Sequence, residues 1–205
     1  VDLLLDEWGT WFNVEPGTNP GHLYQQNTMR DAIVAALNFD IFHKYTRRLK
    51  MANIAQVVNV LQAMILTNDK EMVLTPTYHV FEMYNVHQDA EYLASDCLTP
   101  KTVCDRKVDV PQVDVTASRK DGKMNISLVN TDLKKPMKVL VGFDNPKAVS
   151  EILSARVLTS KDARDYNDFG SADKVAPAQF KAWKLTKAGL EVTLPPCSVV
   201  AISAK

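Results

Sequence analysis

Two carboxylates and two tryptophans lie close together near the start of the chain, in residues 6–11 (DEWGTW). They end an apolar run, residues 1–6, which is typical of a parallel strand buried on both faces. An acid at the carboxyl end of such a strand stands where barrel enzymes hold their catalytic groups, and an indole ring offers a flat apolar face for a sugar. Glu7 is therefore a candidate catalytic carboxylate. The alternative is that it caps a helix or pairs with an arginine.

Other chemistry-bearing residues give weaker signals. His79 and Glu82 stand three residues apart on a predicted helix and could share a metal in principle, but a lone pair lacks the second half of a carboxylate and histidine site. A role in helix surface or core polarity is favoured for them and for His22, His43 and His87. The 7 glycines form no phosphate-binding fingerprint. We expect no metal and no organic cofactor.

The three cysteines do not form a zinc motif, since none belongs to a CxxC pair or to a Cys/His cluster. Cys97 and Cys104 could bridge a loop. Three free thiols are the favoured interpretation, because an odd count leaves Cys197 unpaired in any case.

The candidate carboxylate needs elements that position it, and the first half predicts alternating strands and helices. Thr28 with Asp31 three residues later predicts a helix start resembling a capping box, and that helix should run to about Tyr45. Its apolar face is predicted at four-residue spacing. The residues of that face are Ile33, Leu37 and Ile41.

A second strand and a second helix follow. Residues 49–60 predict a buried strand and its exit, although a helix remains possible for the later part. Thr75 and Pro76 predict a helix N-cap and its first residue. The resulting order of strand, helix, strand, helix implies parallel strands joined by right-handed crossovers, but two strands cannot shield a sheet by themselves.

The second half predicts about seven short strands, which is typical of an antiparallel β-sandwich. Asp121 and Gly122 predict a hairpin turn between alternating runs at 113–117 and 126–128. Further predicted strands are 137–143, 152–158, 180–185, 190–194 and 198–203. A boundary between the halves is expected near Thr99–Pro100, where no clear period is present.

Five ordered motifs occupy the first half: residues 6–12 (DEWGTWF), 15–21 (EPGTNPG), 23–32 (LYQQNTMRDA), 50–64 (KMANIAQVVNVLQAM) and 74–84 (LTPTYHVFEMY). They resemble consecutive motifs of the α-L-arabinofuranosidases of glycoside hydrolase family 51. The resemblance is close over residues 1 to about 92. It continues more loosely through residues 144–146 (DNP) and 194–200 (LPPCSVV).

The resemblance implies a fold that is α/β plus all-β. Residues 1–98 would be the last two β/α units of a (β/α)8 barrel, strands 7 and 8 with their helices. Residues 99–205 would be the C-terminal antiparallel, jelly-roll-like β-sandwich. A whole barrel of about 250 residues does not fit into 205. Unpaired barrel edges predict self-association of the chain, and the family resemblance adds an expectation of homo-oligomers.

The resemblance also implies a retaining, exo-acting enzyme that releases α-L-arabinofuranosyl residues from arabinan, arabinoxylan or related oligosaccharides. Glu7 would be the nucleophile. The acid/base would be a glutamate in an Asn-Glu pair on an earlier strand, and no such pair occurs in these 205 residues, so the chain alone is expected to be inactive. Gln56 matches a glutamine that hydrogen-bonds the arabinofuranose, and Trp11 matches a tryptophan that walls the sugar site. Trp8 would either shape the same pocket or pack the barrel rim.

Composition excludes other classes of function. The chain has 24 Lys plus Arg against 24 Asp plus Glu, so it lacks the basic surplus that binds nucleic acid or anionic lipid. No apolar run approaches the ~18 residues of a membrane span. The first residues lack the features of a signal peptide, which leaves cytoplasmic, periplasmic and secreted locations open.

The alternative hypothesis is a non-catalytic β-sandwich module that binds carbohydrate or a partner domain. The missing acid/base favours it. Such a module needs exposed aromatic rings aligned on one sandwich face, and Trp183 is the only tryptophan of the second half.

Overall fold

A computed structural model describes residues 1–103, 108–145 and 148–205. The strands within these ranges are β1 Leu3–Trp8, β2 Leu49–Ile54, β3 Ile65–Thr67, β4 Met72–Leu74, β5 Glu91–Leu93, β6 Lys101–Val103, β7 Asp109–Pro111, β8 Val113–Lys120, β9 Lys123–Asn130, β10 Met137–Val141, β11 Ile152–Thr159, β12 Ala178–Gln179, β13 Trp183–Thr186, β14 Gly189–Leu194 and β15 Ser198–Ala204. The helices are α1 Met29–Lys44 and α2 Pro76–Tyr84, with short 3-10 helices at Pro20–His22 and Asn85–His87. Neither α-helix of the described residues could span a membrane.

The first part of the chain is built on a parallel strand pair, β1 and β2, connected through α1. The predicted start of α1 is confirmed: Thr28 is its N-cap, and the Asp31 carboxylate accepts a 2.7 Å hydrogen bond from the Thr28 backbone nitrogen. The predicted apolar face is only partly correct. Ile33 is buried, whereas Ile41 is 48% exposed, because its neighbours Asp40 and Phe42 face the interior instead.

The second helix begins as predicted, with Thr75 as N-cap and Pro76 in the first turn. The sequence did not predict the β3–β4 hairpin, which lies between β2 and α2. These strands have three residues each, too few to show a periodicity. The hairpin lies over a small core that contains Ala63, Leu66 and Val73.

The second half forms the predicted β-sandwich. In the described residues its larger sheet has six strands in the order β12-β11-β15-β9-β8-β5, and its smaller sheet has three in the order β10-β14-β13. The hairpin turn at Asp121 and Gly122 joins β8 to β9 as predicted, with both residues at positive φ. β5 precedes the predicted boundary yet pairs with β8. The division at residue 98 stays a prediction.

The larger sheet is buried on both faces, because alternate residues of a strand point to opposite sides. On β15, Val200 and Ile202 face the smaller sheet and pack in the sandwich core. Their neighbours Val199 and Ala201 face the helices and pack in a second core, which contains Met29 and the aromatic side chains behind β1. The two halves of the chain therefore share one sheet as a common packing surface.

A long connection between β11 and β12 returns to the start of α1. The backbone nitrogens of Met29 and Arg30 each donate a 2.8 Å hydrogen bond, to the carbonyls of Asp165 and Ala163. These bonds satisfy amide groups that a helix N-terminus leaves without a partner. In the same connection, buried Asn167 donates to the carbonyls of Leu74 and Val175 at 2.8 Å.

Cys97 and Cys197 are free thiols. Cys104, the other half of the bridge considered above, lies outside the described residues. Pro146 of the DNP motif lies outside them as well.

Candidate active site

Glu7 lies near the carboxyl end of β1, where the pairing with β2 shifts register. Leu5 pairs with Ala52 and Trp8 with Ile54, so β1 uses three steps where β2 uses two. The extra residue allows Leu5 and Trp8 both to pack against the helices, and it leaves Asp6 and Glu7 exposed between them. Such irregularities are common next to active sites because they redirect a side chain.

Trp8 is 9% exposed and lies inside an aromatic cluster. Its ring makes edge contacts with Phe39 and Phe42, at centroid distances of 5.6 and 5.2 Å, and stacks on Phe81 at 6.0 Å. Phe39 and Phe42 belong to α1 and Phe81 to α2. These contacts are those of a side chain that packs between the strands and the helices, which is the second of the two roles considered for Trp8.

Gln56 follows the end of β2 and is exposed. The Ala55 nitrogen donates a 2.9 Å hydrogen bond to the Trp8 carbonyl, so the ladder between the two strands continues to their carboxyl ends. The Ala55–Gln56 peptide bond is cis. Because β1 and β2 are parallel, Glu7 and Gln56 belong to the same edge of the strand pair, which is where open α/β sheets bind ligands.

Trp11 extends from the loop after β1 and is 66% exposed. Its two neighbours are fixed by buried polar groups: the Thr10 hydroxyl donates a 2.8 Å hydrogen bond to Asp31 Oδ1, and the Phe12 nitrogen donates one of 2.5 Å to Gln25 Oε1. The indole is thus an open aromatic surface on a well-held backbone, at the same end of β1 as Glu7.

Apolar side chains around the strand pair are left open to solvent. Leu4 of β1 is 54% exposed and Met51 of β2 45% exposed. Val57 and Val58, just after β2, are 51% and 42% exposed. A group of exposed apolar side chains on neighbouring segments marks an interaction surface, a ligand-binding groove or a site prone to aggregation.

The weaker candidate pair, His79 and Glu82, is not assembled as a metal site. The Glu82 carboxylate accepts two hydrogen bonds from Arg156 at 2.7 and 3.0 Å, which lower the pKa of that carboxyl. His79 is buried, and burial lowers its pKa. No group of three potential metal-binding side chains occurs in the part of the chain that the structure describes.

The sequence did not predict that His43 and His87 meet between the helices and the larger sheet. His87 is 7% exposed; its Nδ1 lies 2.7 Å from Ser118 Oγ and its Nε2 2.9 Å from Ser127 Oγ. The ring of His43 lies 5.1 Å away, with Nδ1 3.0 Å from Thr116 Oγ1. Burial lowers the pKa of His43 to about 4; burial and the nearby His43 lower that of His87 to about 3.

Asp40 and Tyr84 belong to the same interface. The Tyr84 hydroxyl donates a 3.1 Å hydrogen bond to Asp40 Oδ1, and Asp40 is fully buried. Burial raises the pKa of both groups well above their usual values. The only sequence sign of this cluster was the presence of polar residues on otherwise apolar helix faces.

The sandwich carries a separate cavity of about 740 Å³, lined mainly by apolar side chains of β8, β9 and β10 and by residues 93–100. None of the four predicted site residues lines it. Among the described residues of the second half, Phe169 is the one aromatic residue among the exposed large apolar side chains. Trp183 is partly buried. An aligned stacking platform, which the alternative function requires, is not present among them.

The fold and the site together define a β-sandwich joined to a βαβ unit that presents a carboxylate, an amide and an indole at one end of its strands. The family model for the α-L-arabinofuranosidase C-terminal domain matches residues 6–198. The chain therefore belongs to the α-L-arabinofuranosidase C-terminal domain family, and the resemblance to glycoside hydrolase family 51 is confirmed.

Relatives of the chain are considerably longer than it is. An intracellular exo-α-L-arabinofuranosidase of Bacteroides ovatus is 54% identical over 98% of this chain and 39% of its own length. An intracellular exo-α-(1→5)-L-arabinofuranosidase of Bacillus subtilis is 25% identical over 97% of this chain and 41% of its own. The crystal structure of the family 51 arabinofuranosidase from Xanthomonas axonopodis pv. citri superposes with a TM-score of 0.94 and 43% identity, over all of this chain and 41% of that one. The chain spans about two fifths of these proteins.

Proposed function

We propose that the chain is the C-terminal part of a retaining, exo-acting α-L-arabinofuranosidase. Its substrates are arabinan, arabinoxylan or related oligosaccharides, from which it releases α-L-arabinofuranosyl residues. The observation that carries this proposal is the 54% identity, over nearly the whole chain, to an exo-α-L-arabinofuranosidase.

In this proposal residues 1–98 are the last two β/α units of a (β/α)8 barrel, and residues 99–205 are the sandwich that follows it. The parallel pairing of β1 and β2 across α1 supports this assignment, as does the exposure of Leu4 and Met51. In a closed barrel, strands on either side pair with β1 and β2, and side chains from the other strands cover their inner face.

Glu7 is the nucleophile of the proposed reaction. Its carboxylate attacks the anomeric carbon and forms a glycosyl-enzyme, which water then hydrolyses. A second carboxylate, about 5 to 5.5 Å away, protonates the leaving oxygen and later activates the water. We assign this acid/base to a glutamate upstream of residue 1. The 205-residue chain by itself is therefore expected to be inactive.

Gln56 and Trp11 bind the sugar. The amide of Gln56 both donates and accepts, so it can bond two adjacent hydroxyls of the arabinofuranose. The exposed indole of Trp11 supplies an apolar wall for the ring. Trp8 supports the site from behind, because its ring packs among Phe39, Phe42 and Phe81.

Association of copies belongs to the same proposal. The edges of β1 and β2 and the apolar side chains beside them favour self-association of the 205-residue chain. Size-exclusion chromatography at low micromolar concentration tests this, and a clean monomer contradicts it. Homo-oligomers of the full-length protein are the corresponding expectation.

The test is hydrolysis of an aryl α-L-arabinofuranoside by the full-length protein, its Glu7→Ala variant and the 205-residue chain. We expect turnover by the full-length protein only, with a loss of about 10⁴-fold or more in the variant. Asp6→Asn is the matched control, because Asp6 is an exposed carboxylate next to Glu7. It should keep activity within about 10-fold, less than the loss expected for a catalytic acid.

Azide separates a nucleophile from other catalytic roles. Added to Glu7→Ala with a substrate that has a good leaving group, it should take the vacated position and give the arabinofuranosyl azide of inverted configuration. Retained activity in Glu7→Ala, or an equal loss in Asp6→Asn, contradicts the assignment. A wild-type full-length protein without arabinofuranosidase activity contradicts the proposed function itself.

A further inference from the structure

The loop after β1 is tied to the first turn of α1 by one buried carboxylate. Asp31 is 2% exposed, and its Oδ1 accepts the 2.8 Å hydrogen bond from Thr10 Oγ1. Its Oδ2 accepts bonds of 2.7 and 2.9 Å from the backbone nitrogen and the hydroxyl of Thr28, and lies 3.5 Å from Arg30 Nη2. Asp31 Oδ2 therefore accepts hydrogen bonds at the start of α1, and Oδ1 accepts one from the loop after β1.

The loop after β1 has a second attachment, which is made by the segment after β2. Gln62, which is buried, donates a 3.0 Å hydrogen bond from Nε2 to the Thr10 carbonyl. The approach is close: a Cβ on Gly9 would lie 2.9 Å from that nitrogen, and Gly9 has a φ of +150°. Glycine at this position thus lets the loop lie directly against Gln62.

A third attachment lies beyond Trp11. Gln25, which is 1% exposed, accepts the hydrogen bond from the Phe12 nitrogen and itself donates from its backbone to the Leu61 carbonyl at 2.8 Å. The Arg30 guanidinium lies over the Phe12 ring, 3.9 Å from its centroid. The backbone is consequently fixed on both sides of Trp11, although that side chain itself is mostly exposed.

We propose that Asp31 is a positioning residue of the proposed glycosidase: through the Thr10 hydroxyl it sets the orientation of Trp11 before substrate arrives. This inference rests on the proposed function. A helix cap requires only the Oδ2 contacts with Thr28, and these do not account for the bond from Oδ1 to a loop 21 residues away. The Thr10 contact instead extends the rigidity of α1 to the loop that carries the aromatic wall.

The physical benefit is pre-organisation. A tryptophan on a loose loop loses conformational freedom when a sugar binds, and this cost reduces the affinity. Small displacements of positioning groups also lower the rate of the chemical step, by up to about 100-fold for an error of about 1 Å. Releasing Thr10 should therefore lower kcat/KM without removing any group that touches the substrate.

The test compares two threonines that donate to the same carboxylate. Thr10→Val removes the bond to Oδ1, and Thr28→Val removes the hydroxyl bond to Oδ2, so each variant leaves Asp31 with one partner fewer. In the full-length protein we expect Thr10→Val to lose about 10- to 100-fold in kcat/KM, the range for a displaced positioning group. Thr28→Val should stay within about 3-fold, although its melting temperature should fall at least as much as that of Thr10→Val, because Thr28 is also the N-cap of α1. Thr10→Ser keeps the hydroxyl and should restore the wild-type value.

A structural readout separates this inference from the activity. Fluorine-labelled tryptophan in the full-length protein gives a resonance for each tryptophan, and Trp11→Phe assigns the one that belongs to Trp11. Thr10→Val should change the shift and linewidth of the Trp11 resonance and leave the other resonances in place. Thr28→Val should leave all of them in place.

The outcomes are distinct. If Thr28→Val loses as much kcat/KM as Thr10→Val, Asp31 is only a helix cap and the inference is wrong. An unchanged Trp11 resonance in Thr10→Val also overturns it. If the wild-type full-length protein does not hydrolyse arabinofuranosides, the proposed function fails, while the resonance experiment still decides whether Asp31 orients Trp11. Thr10→Ala replaces Thr10→Val in both arms if the valine variant does not fold.

Discussion

The buried His87 should make the stability of the protein depend on pH. Its two ring nitrogens contact Ser118 and Ser127, and burial lowers its pKa from 6.5 to about 3. As the pH falls below about 6.5, His87 binds a proton in the unfolded chain but stays neutral in the folded protein. The folded state therefore loses stability from about pH 6.5 downward, until the pH approaches about 3.

The size of the effect follows from the two pKa values. A pKa difference of one is worth about 1.4 kcal/mol, so His87 should cost about 2 kcal/mol of unfolding free energy between pH 7 and pH 5. His43, with a pKa lowered to about 4, should act in the same direction but less strongly because its side chain is more exposed. Asp40 acts in the opposite direction, since burial raises its pKa. A comparison of variants cancels the Asp40 contribution, because Asp40 is present in each.

His87→Gln isolates the contribution of His87. A glutamine amide can still donate to one serine and accept from the other, but it does not titrate. Urea unfolding followed by circular dichroism, at several pH values from 7.5 to 5, gives the unfolding free energy of both proteins. The difference between wild type and variant should change by about 2 kcal/mol over this range, in favour of the variant at low pH. Parallel curves would contradict this prediction, because they would mean that folded His87 titrates as it does in the unfolded chain. His43→Gln should give a smaller change of the same sign.

Three further substitutions test individual interactions that stabilise the fold. Trp8→Ala should cost about 3 to 5 kcal/mol in urea unfolding, because the ring fills an aromatic core; a loss below about 1 kcal/mol would contradict the packing role. Asn167→Ala should cost about 2 to 3 kcal/mol, since it leaves the Leu74 and Val175 carbonyls without their donor; an unchanged melting temperature would contradict this. Arg156→Lys should cost at most about 1 kcal/mol, because the bidentate pair with Glu82 is about 40% exposed on the Arg156 side. A double-mutant cycle with Glu82→Gln measures the interaction energy of the pair, and a value above about 2 kcal/mol would contradict this prediction.

The elements with strong local signals could be predicted from the sequence. Thr28 and the pair Thr75–Pro76 indicated the starts of both helices, because capping chemistry depends on residues a few positions apart. The sandwich strands were indicated by alternation, and the turn at Asp121–Gly122 by its residue types. Gln56 was indicated only by the family resemblance, and the parallel pairing of β1 with β2 puts it at the same end of the strand pair as Glu7.

The remaining features depend on contacts between distant residues. β3, β4 and β5 have three residues each, too few for a period, and their pairing is decided by the surfaces they meet. The bond from Thr10 to Asp31 links two segments that only the fold brings together. The contact between His43 and His87 could not be predicted either, because the hydrogen-bond partners of His87 lie on β8 and β9, far away in the sequence.

Trp8 shows how a local irregularity determines the direction in which a side chain points. Regular alternation from Leu5 would place Trp8 on the opposite face, together with Asp6. The register shift between Leu5 and Trp8 adds one residue, which turns the indole into the core and leaves Glu7 exposed. Because the ring is fixed by three phenylalanines, the strand end beside it cannot move without disrupting that core. The same packing that excludes Trp8 from the open face therefore stabilises the position of Glu7.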